Sequence, residues 1–133
     1  AAGADQTHNI LTQPQALAPY GRDKGQVDVH FECSGAAAAL ASGISVLRPA
    51  GQLIQLGLGG DMNVPMQALT AKEISLKGSF RFHFEFELAV SLMQKGLINV
   101  SDLITQNLPL HDAITGFEMA SDRGSALKLQ IEF

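Results

Sequence analysis

A chain of 133 residues with 46% hydrophobic and 17% charged residues suits about one domain, is long enough to bury a core and is too apolar to stay unfolded. Its 9 basic and 13 acidic residues leave a net charge of −4 with no Lys/Arg cluster, which excludes nucleic acid and anionic membranes as natural partners. The most apolar region, residues 35–60, is interrupted by Arg48, Pro49 and several glycines and does not read as a membrane span, no leader peptide is expected, and a lone cysteine, Cys33, fits a reducing cytoplasm.

In chain order, "AAGAD" reads as the last turn of a helix with Gly3 past its end, and Gln6–Ile10 as a short strand. Pro14, Pro19, Gly21 and Gly25 then mark a short helix and a turn. "VDVHFEC" (Val27–Cys33) is rich in β-formers, and Leu40, Ile44 and Leu47 recur at helical spacing behind it until Pro49–Gly51 stops the helix. "QLIQLG" is a second strand of this middle region, "PMQALTAKE" a short helix and "ISLKGSF" a third strand. Strand, helix, strand, helix, strand with short connections is the pattern of a parallel sheet with crossover helices. Beyond Phe80 the texture changes. "FEFELAVSLMQKG" sets Phe86, Ala89, Val90 and Met93 on one helical face with Gly96 as its stop, and "SDLITQNLPL" is a turn and a strand. "HDAITGFEMASD" is a helix expected to turn Ile114, Phe117 and Ala120 inward, and "ALKLQIEF" is the final strand.

"QLGLGGDM" (Gln55–Met62) poses the functional question. A dinucleotide fingerprint needs G-x-G-x-x-G between strand and helix, with an acidic residue about 20 positions later. Here Met62 stands at the third glycine position, Pro65 delays any helix, and no strand-ending acid follows at that spacing. These glycines are not a phosphate loop. Cys33 and four scattered histidines (His8, His30, His83, His111) show no metal-ligand spacing either. His30 reads as a hydrogen-bonded structural histidine, Glu85 and Glu87 as carboxylates serving the first turn of their helix, and Lys72 and Glu73 as solvated surface.

The order "ECSG … GQLIQLGLGG … ISLKGSF-R … LITQNLPL … ALKLQIEF" resembles the medium-chain zinc-type dehydrogenase/reductase family, in its polyol dehydrogenase branch, the group of the sorbitol and L-idonate 5-dehydrogenases. "GSFRF", "MQKGLINV" and "FEMASDRGSALKLQIEF" look most like the idonate group. The resemblance implies an α/β fold: a partial Rossmann domain, doubly wound and parallel, holding strands 3–6 of the family's order 3-2-1-4-5-6, then the C-terminal tail of the catalytic domain. Residues 1–80 would be the C-terminal half of the dinucleotide-binding domain and residues 81–133 the catalytic-domain segment. The phosphate loop, the ribose-binding acid and the zinc ligands would then lie outside this sequence. With the family's first two strands absent, the strand Val27–Cys33 would have an open edge, and open edges recruit partners, so a homo-oligomer through that edge is expected.

By the same resemblance, Cys33 and Gly35 approach the adenosine half of NAD(P), and Leu56, Gly57 and Leu58 lie beside the nicotinamide, where the bare Gly57 leaves room for the ring. Phe80 and Arg81 meet the nicotinamide, and Arg81 with Phe82 meets the substrate, a small polyol or sugar acid whose carboxylate suits a guanidinium fork. Phe82 stands where sorbitol enzymes commonly have Tyr, which leans toward idonate. Taken without the resemblance, Cys33 and Gly35 read as a buried small thiol and a turn glycine opening a helix, Leu56–Leu58 as a strand-to-loop turn, and Arg81 as a surface arginine at a domain boundary. The implied parent is an NAD(P)- and zinc-dependent oxidoreductase converting a secondary alcohol to a ketone, and the isolated chain is expected to be inactive. Two other readings stay open: a non-catalytic nucleotide-binding or interaction module, and a zinc-free quinone-reductase relative.

Overall fold

The computed structural model describes residues 3–122 and 124–133, so the expected helix turn at Ala1 and Ala2 lies outside the described residues. The chain forms two compact units, Gln6–Arg81 and, with the residues before Gln6, Phe82–Phe133.

In the first unit β1 (Val27–Glu32), α1 (Ala37–Val46), β2 (Leu47–Gln55), α2 (Met66–Ala71) and β3 (Ser75–Gly78) alternate. The strands pair in parallel in the order β1-β2-β3, and the helices are the crossovers. This is the expected α/β class, with the sheet built in sequence order. Leu40 and Ile44 of α1, Leu47 and Leu53 of β2 and Leu69 of α2 form the buried core, each contributing about 2 kcal/mol by leaving water.

Four differences from the sequence expectations have physical causes. Gln6–Ile10 forms no strand; a strand needs a ladder, and among the described residues nothing pairs with this segment. The helix expected to run up to Pro49 ends at Val46, so Leu47 enters the core from β2. Between Val27↔Leu47 and Val29↔Gln52 the second strand advances five residues while the first advances two, which leaves Arg48–Gly51 looped out of the ladder. Ala50 there has φ 57°, and Arg48 Nε bonds Asp28 at 2.6 Å across the loop. Third, Lys72 is not free surface. Its Nζ donates to the carbonyls of Ile44 (2.9 Å), Ser45 (2.8 Å) and Leu47 (2.9 Å), capping the C-terminal end of α1 with a cation, and burial lowers its pKa. Fourth, His30 is not hydrogen-bonded as expected. Its Nε2 is buried without a partner, because the ring fills the space left by Gly43 of α1, where a Cβ would lie 2.4 Å from His30 Cδ2. That burial lowers the His30 pKa.

The second unit contains α3 (Glu85–Gln94), β4 (Gln106–Pro109), α4 (Ala113–Ser121) and β5 (Leu129–Glu132), with β4 and β5 pairing in parallel. Glu85 and Glu87 do occupy the first turn of α3, and Glu85 Oε2 accepts the His83 N–H at 3.0 Å. Ala89 and Val90 of the expected α3 face are partly buried, but Phe86 and Met93 are exposed. In α4 the residues expected inward are exposed, Ile114 and Phe117 at 77% and 75% and Ala120 with them, while Gly116 is buried. A Cβ at Gly116 would come within 3.0 Å of Leu108 and 3.2 Å of Ile131, so the helix lies on the two strands along its smallest residue. Close approach over a narrow sheet selects the glycine, and the hydrophobic period alone pointed to the wrong stripe.

Candidate functional site

The site candidates gather where β1 and β2 end. Glu32, the last residue of β1, is 1% exposed, and four donor groups converge on its carboxylate. Oε1 accepts the Ser34 hydroxyl and the Ser34 N–H (2.8 Å); the Gly35 N–H reaches both oxygens, at 3.0 and 2.8 Å; and Oε2 accepts Gln55 Nε2 at 2.6 Å. Gln55, the last residue of β2, also donates to the Gly57 carbonyl at 2.9 Å. The Glu32 carbonyl in turn accepts the N–H groups of Leu56 (2.8 Å) and Gly57 (2.9 Å). The Ser34 hydroxyl also accepts the Ala36 N–H at 3.1 Å, tying this carboxylate cluster, a latch between the two strand ends, to the start of α1.

These bonds dictate the charge state. An ionised carboxylate is acceptor-only and suits four donors. The Ser34 hydroxyl is the main cause that pulls the Glu32 pKa from 4.5 to about 2; burial opposes it, and the backbone N–H groups of Gly35 and Ser34 and the Gln55 amide add to it.

The loops held by this carboxylate touch backbone to backbone. A Cβ at Gly57 would lie 2.0 Å from Gly35 N and 2.6 Å from Glu32 Oε2, and one at Gly59 would lie 1.7 Å from Gly35 O. Gly35, at φ 72°, would carry a Cβ 2.6 Å from the Leu58 carbonyl carbon. Gly35 and Glu32 occupy the space that a Gly57 side chain would need, so this position requires glycine for the contact between the two loops. Beside these loops opens an apolar cleft of ≈ 450 Å³, walled by Gln55, Gly57, Leu58, Met62, Leu76 and Gly78 at the carboxyl ends of β2 and β3.

Of the residues singled out from sequence, Gly35, Gly57 and Leu58 come together, and the last two wall the cleft. Cys33 and Leu56 are exposed neighbours of the latch, the Cys33 thiol lying 3.7 Å from the Phe31 carbonyl. Phe80 and Arg81 follow β3, outside the cleft wall; the Arg81 guanidinium sits 4.9 Å over the Phe80 ring and its backbone is left-handed at φ 57°. Phe82 belongs to the second unit, 63% exposed, its ring 4.8 Å from that of Phe86. Sequence reasoning passed over Glu32, Ser34 and Gln55. The available sign was a polar residue as the last residue of each of two strands, Glu32 and Gln55, with a glycine two or three positions on.

Among the described residues no three His, Cys, Asp or Glu side chains gather as a metal site. No helix among them is long and apolar enough to cross a membrane.

A parallel sheet with crossover helices and glycine loops at its carboxyl edge is the Rossmann-like, nucleotide-binding class of fold. Residues 1–95 match the zinc-binding dehydrogenase family, and the chain belongs to it. It is 37% identical to L-idonate 5-dehydrogenase (NAD(P)(+)) of Escherichia coli K12 over 134 residues, covering 98% of this chain and 39% of that protein. It is 33% identical to human sorbitol dehydrogenase over 136 residues, covering 98% of this chain and 37% of that enzyme. The crystal structure of the E. coli L-idonate 5-dehydrogenase superposes with a TM-score of 0.84 at 39% identity, over 87% of this chain and 34% of that one. A Bacillus subtilis 2R,3R-butanediol dehydrogenase structure superposes at 0.76 with 25% identity, over 96% and 36%. The chain thus spans less than two fifths of the length of these relatives.

Two outcomes follow. Gly59→Ala forces apart two backbones and costs about 3 kcal/mol, whereas Gly60→Ala, left-handed at φ 79° with open space around it, costs about 1 kcal/mol; urea unfolding of the pair reads the difference. Because the Glu32 pKa is depressed on folding, its stabilisation is complete above 4.5 and is lost as pH falls through about 2. Unfolding measured across that window should show a loss of stability whose Glu32 share is absent from Glu32→Gln.

Proposed function

We propose that this chain forms the C-terminal half of the dinucleotide-binding domain (1–80) and a catalytic-domain segment (81–133) of an NAD(P)-dependent, zinc-type dehydrogenase. That enzyme oxidises a secondary alcohol of a sugar acid or polyol, L-idonate in the first instance, to a ketone. The observation that carries the reading is the cleft at the carboxyl ends of β2 and β3, bordered by Gly57 and Leu58, where open α/β sheets take their ligands. The family match and the 37% identity to L-idonate 5-dehydrogenase support the chemistry.

Within this reading the bound cofactor supplies the hydride acceptor, and the chain binds and orients it. Gly35, with Cys33, approaches the adenosine half; Leu56, Gly57 and Leu58 flank the nicotinamide; Phe80 lines the same end. Arg81 offers a fork of donors to the substrate carboxylate, and Phe82 replaces a hydroxyl-bearing side chain that a neutral polyol would use. Zinc in the parent takes its ligands from outside this sequence. The exposed Cys33 thiol suits a reducing cytoplasm.

The test is kinetic. Full-length protein containing this sequence should oxidise L-idonate with NAD(P)+, the 133-residue chain alone should not, and Arg81→Ala in the full-length protein should raise the KM for L-idonate at least about tenfold. Turnover by the short chain, or an unchanged KM in the variant, counts against the assignment. We also propose that the short chain self-associates through β1, an edge strand that pairs with β2 alone among the described residues. Light scattering over a concentration series should show a rising mean mass, and a constant monomer mass rejects it.

A further inference from the structure

Glu32 is absent from every role assigned above, yet it joins the two loops that flank the proposed cofactor. Glu32 does not line the cleft; Gln55, which does, donates to both Glu32 and the Gly57 carbonyl. The Glu32 partners Ser34 and Gly35 belong to the loop after β1, and Gln55 and Gly57 to the end of β2 and the loop after it. The loops meet so closely that no Cβ fits at Gly57 or Gly59, so their spacing has no slack except through the group that bonds both.

We infer that Glu32 is a positioning residue for the dinucleotide: its carboxylate sets the loop after β1 against the loop after β2, and thereby aligns the adenosine-side and nicotinamide-side surfaces with each other. The inference rests on the cofactor reading above and adds to it the residue that couples the two halves of the surface. A glutamine in its place keeps the shape but directs an NH2 group at donors, leaving at least one of them unpaired in a buried place. The loops then separate or rotate, and a ligand that must touch both loses contact with one. Such a change weakens cofactor binding ahead of chemistry, because Glu32 reaches neither the hydride path nor the substrate arginine.

The experiment compares full-length wild type with Glu32→Gln and Ser34→Ala, the milder change that deletes one donor, by NAD(P)H titration and steady-state kinetics. The expected result for Glu32→Gln is a rise of about tenfold in Kd for NAD(P)H and in KM for NAD(P)+, with kcat and the KM for L-idonate changed less than about threefold. Ser34→Ala should move the same constants in the same direction by about threefold, and it decides the question should Glu32→Gln not fold. A drop in Tm with unchanged cofactor constants makes Glu32 a purely structural residue and overturns the inference while the cofactor reading stands. Equal rises in both KM values overturn it as well. A wild type that binds no NAD(P)H removes the cofactor reading, and this inference with it.

Discussion

An ionised carboxylate buried where two parallel strands end is the constraint on which the rest of the first unit depends. Parallel pairing brings the ends of β1 and β2 to the same edge but leaves the chain leaving each strand with unpaired N–H groups. Glu32 takes up four donors from both exits, its own carbonyl takes two more, and the glycines let the backbones close to contact. Desolvating a carboxylate is costly without partners, and here burial and bonding come from the same few residues. The opposite end of α1 uses the reverse sign, with Lys72 gathering three carbonyls. One anion and one cation thus secure the two ends of the first crossover.

The two units differ in how much of their stability they hold themselves. The first closes a core of leucines and an isoleucine between sheet and helices. The second rests its α4 on a two-stranded sheet through Gly116, and of its large side chains Leu108 is buried while Ile114, Phe117, Leu110 and Phe86 face outward. A two-stranded sheet is marginal by itself. The apolar side chains of α4 and α3 therefore stay uncovered within this unit, where two strands alone do not supply a core.

Legibility followed the range of the interactions involved. The alternation of strand and helix from Val27 to Gly78 was plain, because β-branched runs, the Leu40–Ile44 spacing and glycine stops are local marks. The strand at Gln6–Ile10 was misjudged because local propensity cannot supply a ladder partner. The α4 face was misjudged because the hydrophobic stripe ranks glycine as neutral, whereas packing ranked it first. At the site the glycines were visible as glycines, but the reason for them was not. Gly57 answers to Gly35, 22 positions away in sequence, and to a carboxylate that composition would assign to the surface. His30 shows the same limit, since its place depends on the absence of a side chain at Gly43.

The looped-out Arg48–Gly51 has a consequence of another kind. These residues stand outside the β1–β2 ladder, fastened by the Arg48–Asp28 pair and by the Ala50 N–H to the Lys72 carbonyl at 2.7 Å, while pairing resumes cleanly at Gln52. Lengthening or shortening the chain here leaves the inward and outward alternation of Leu53 to Gln55 as it is, whereas one residue added three positions later would turn the latch away from the strand ends. A reporter or a graft carried at the exposed Arg48–Ala50 would leave undisturbed what the sheet presents at its far edge.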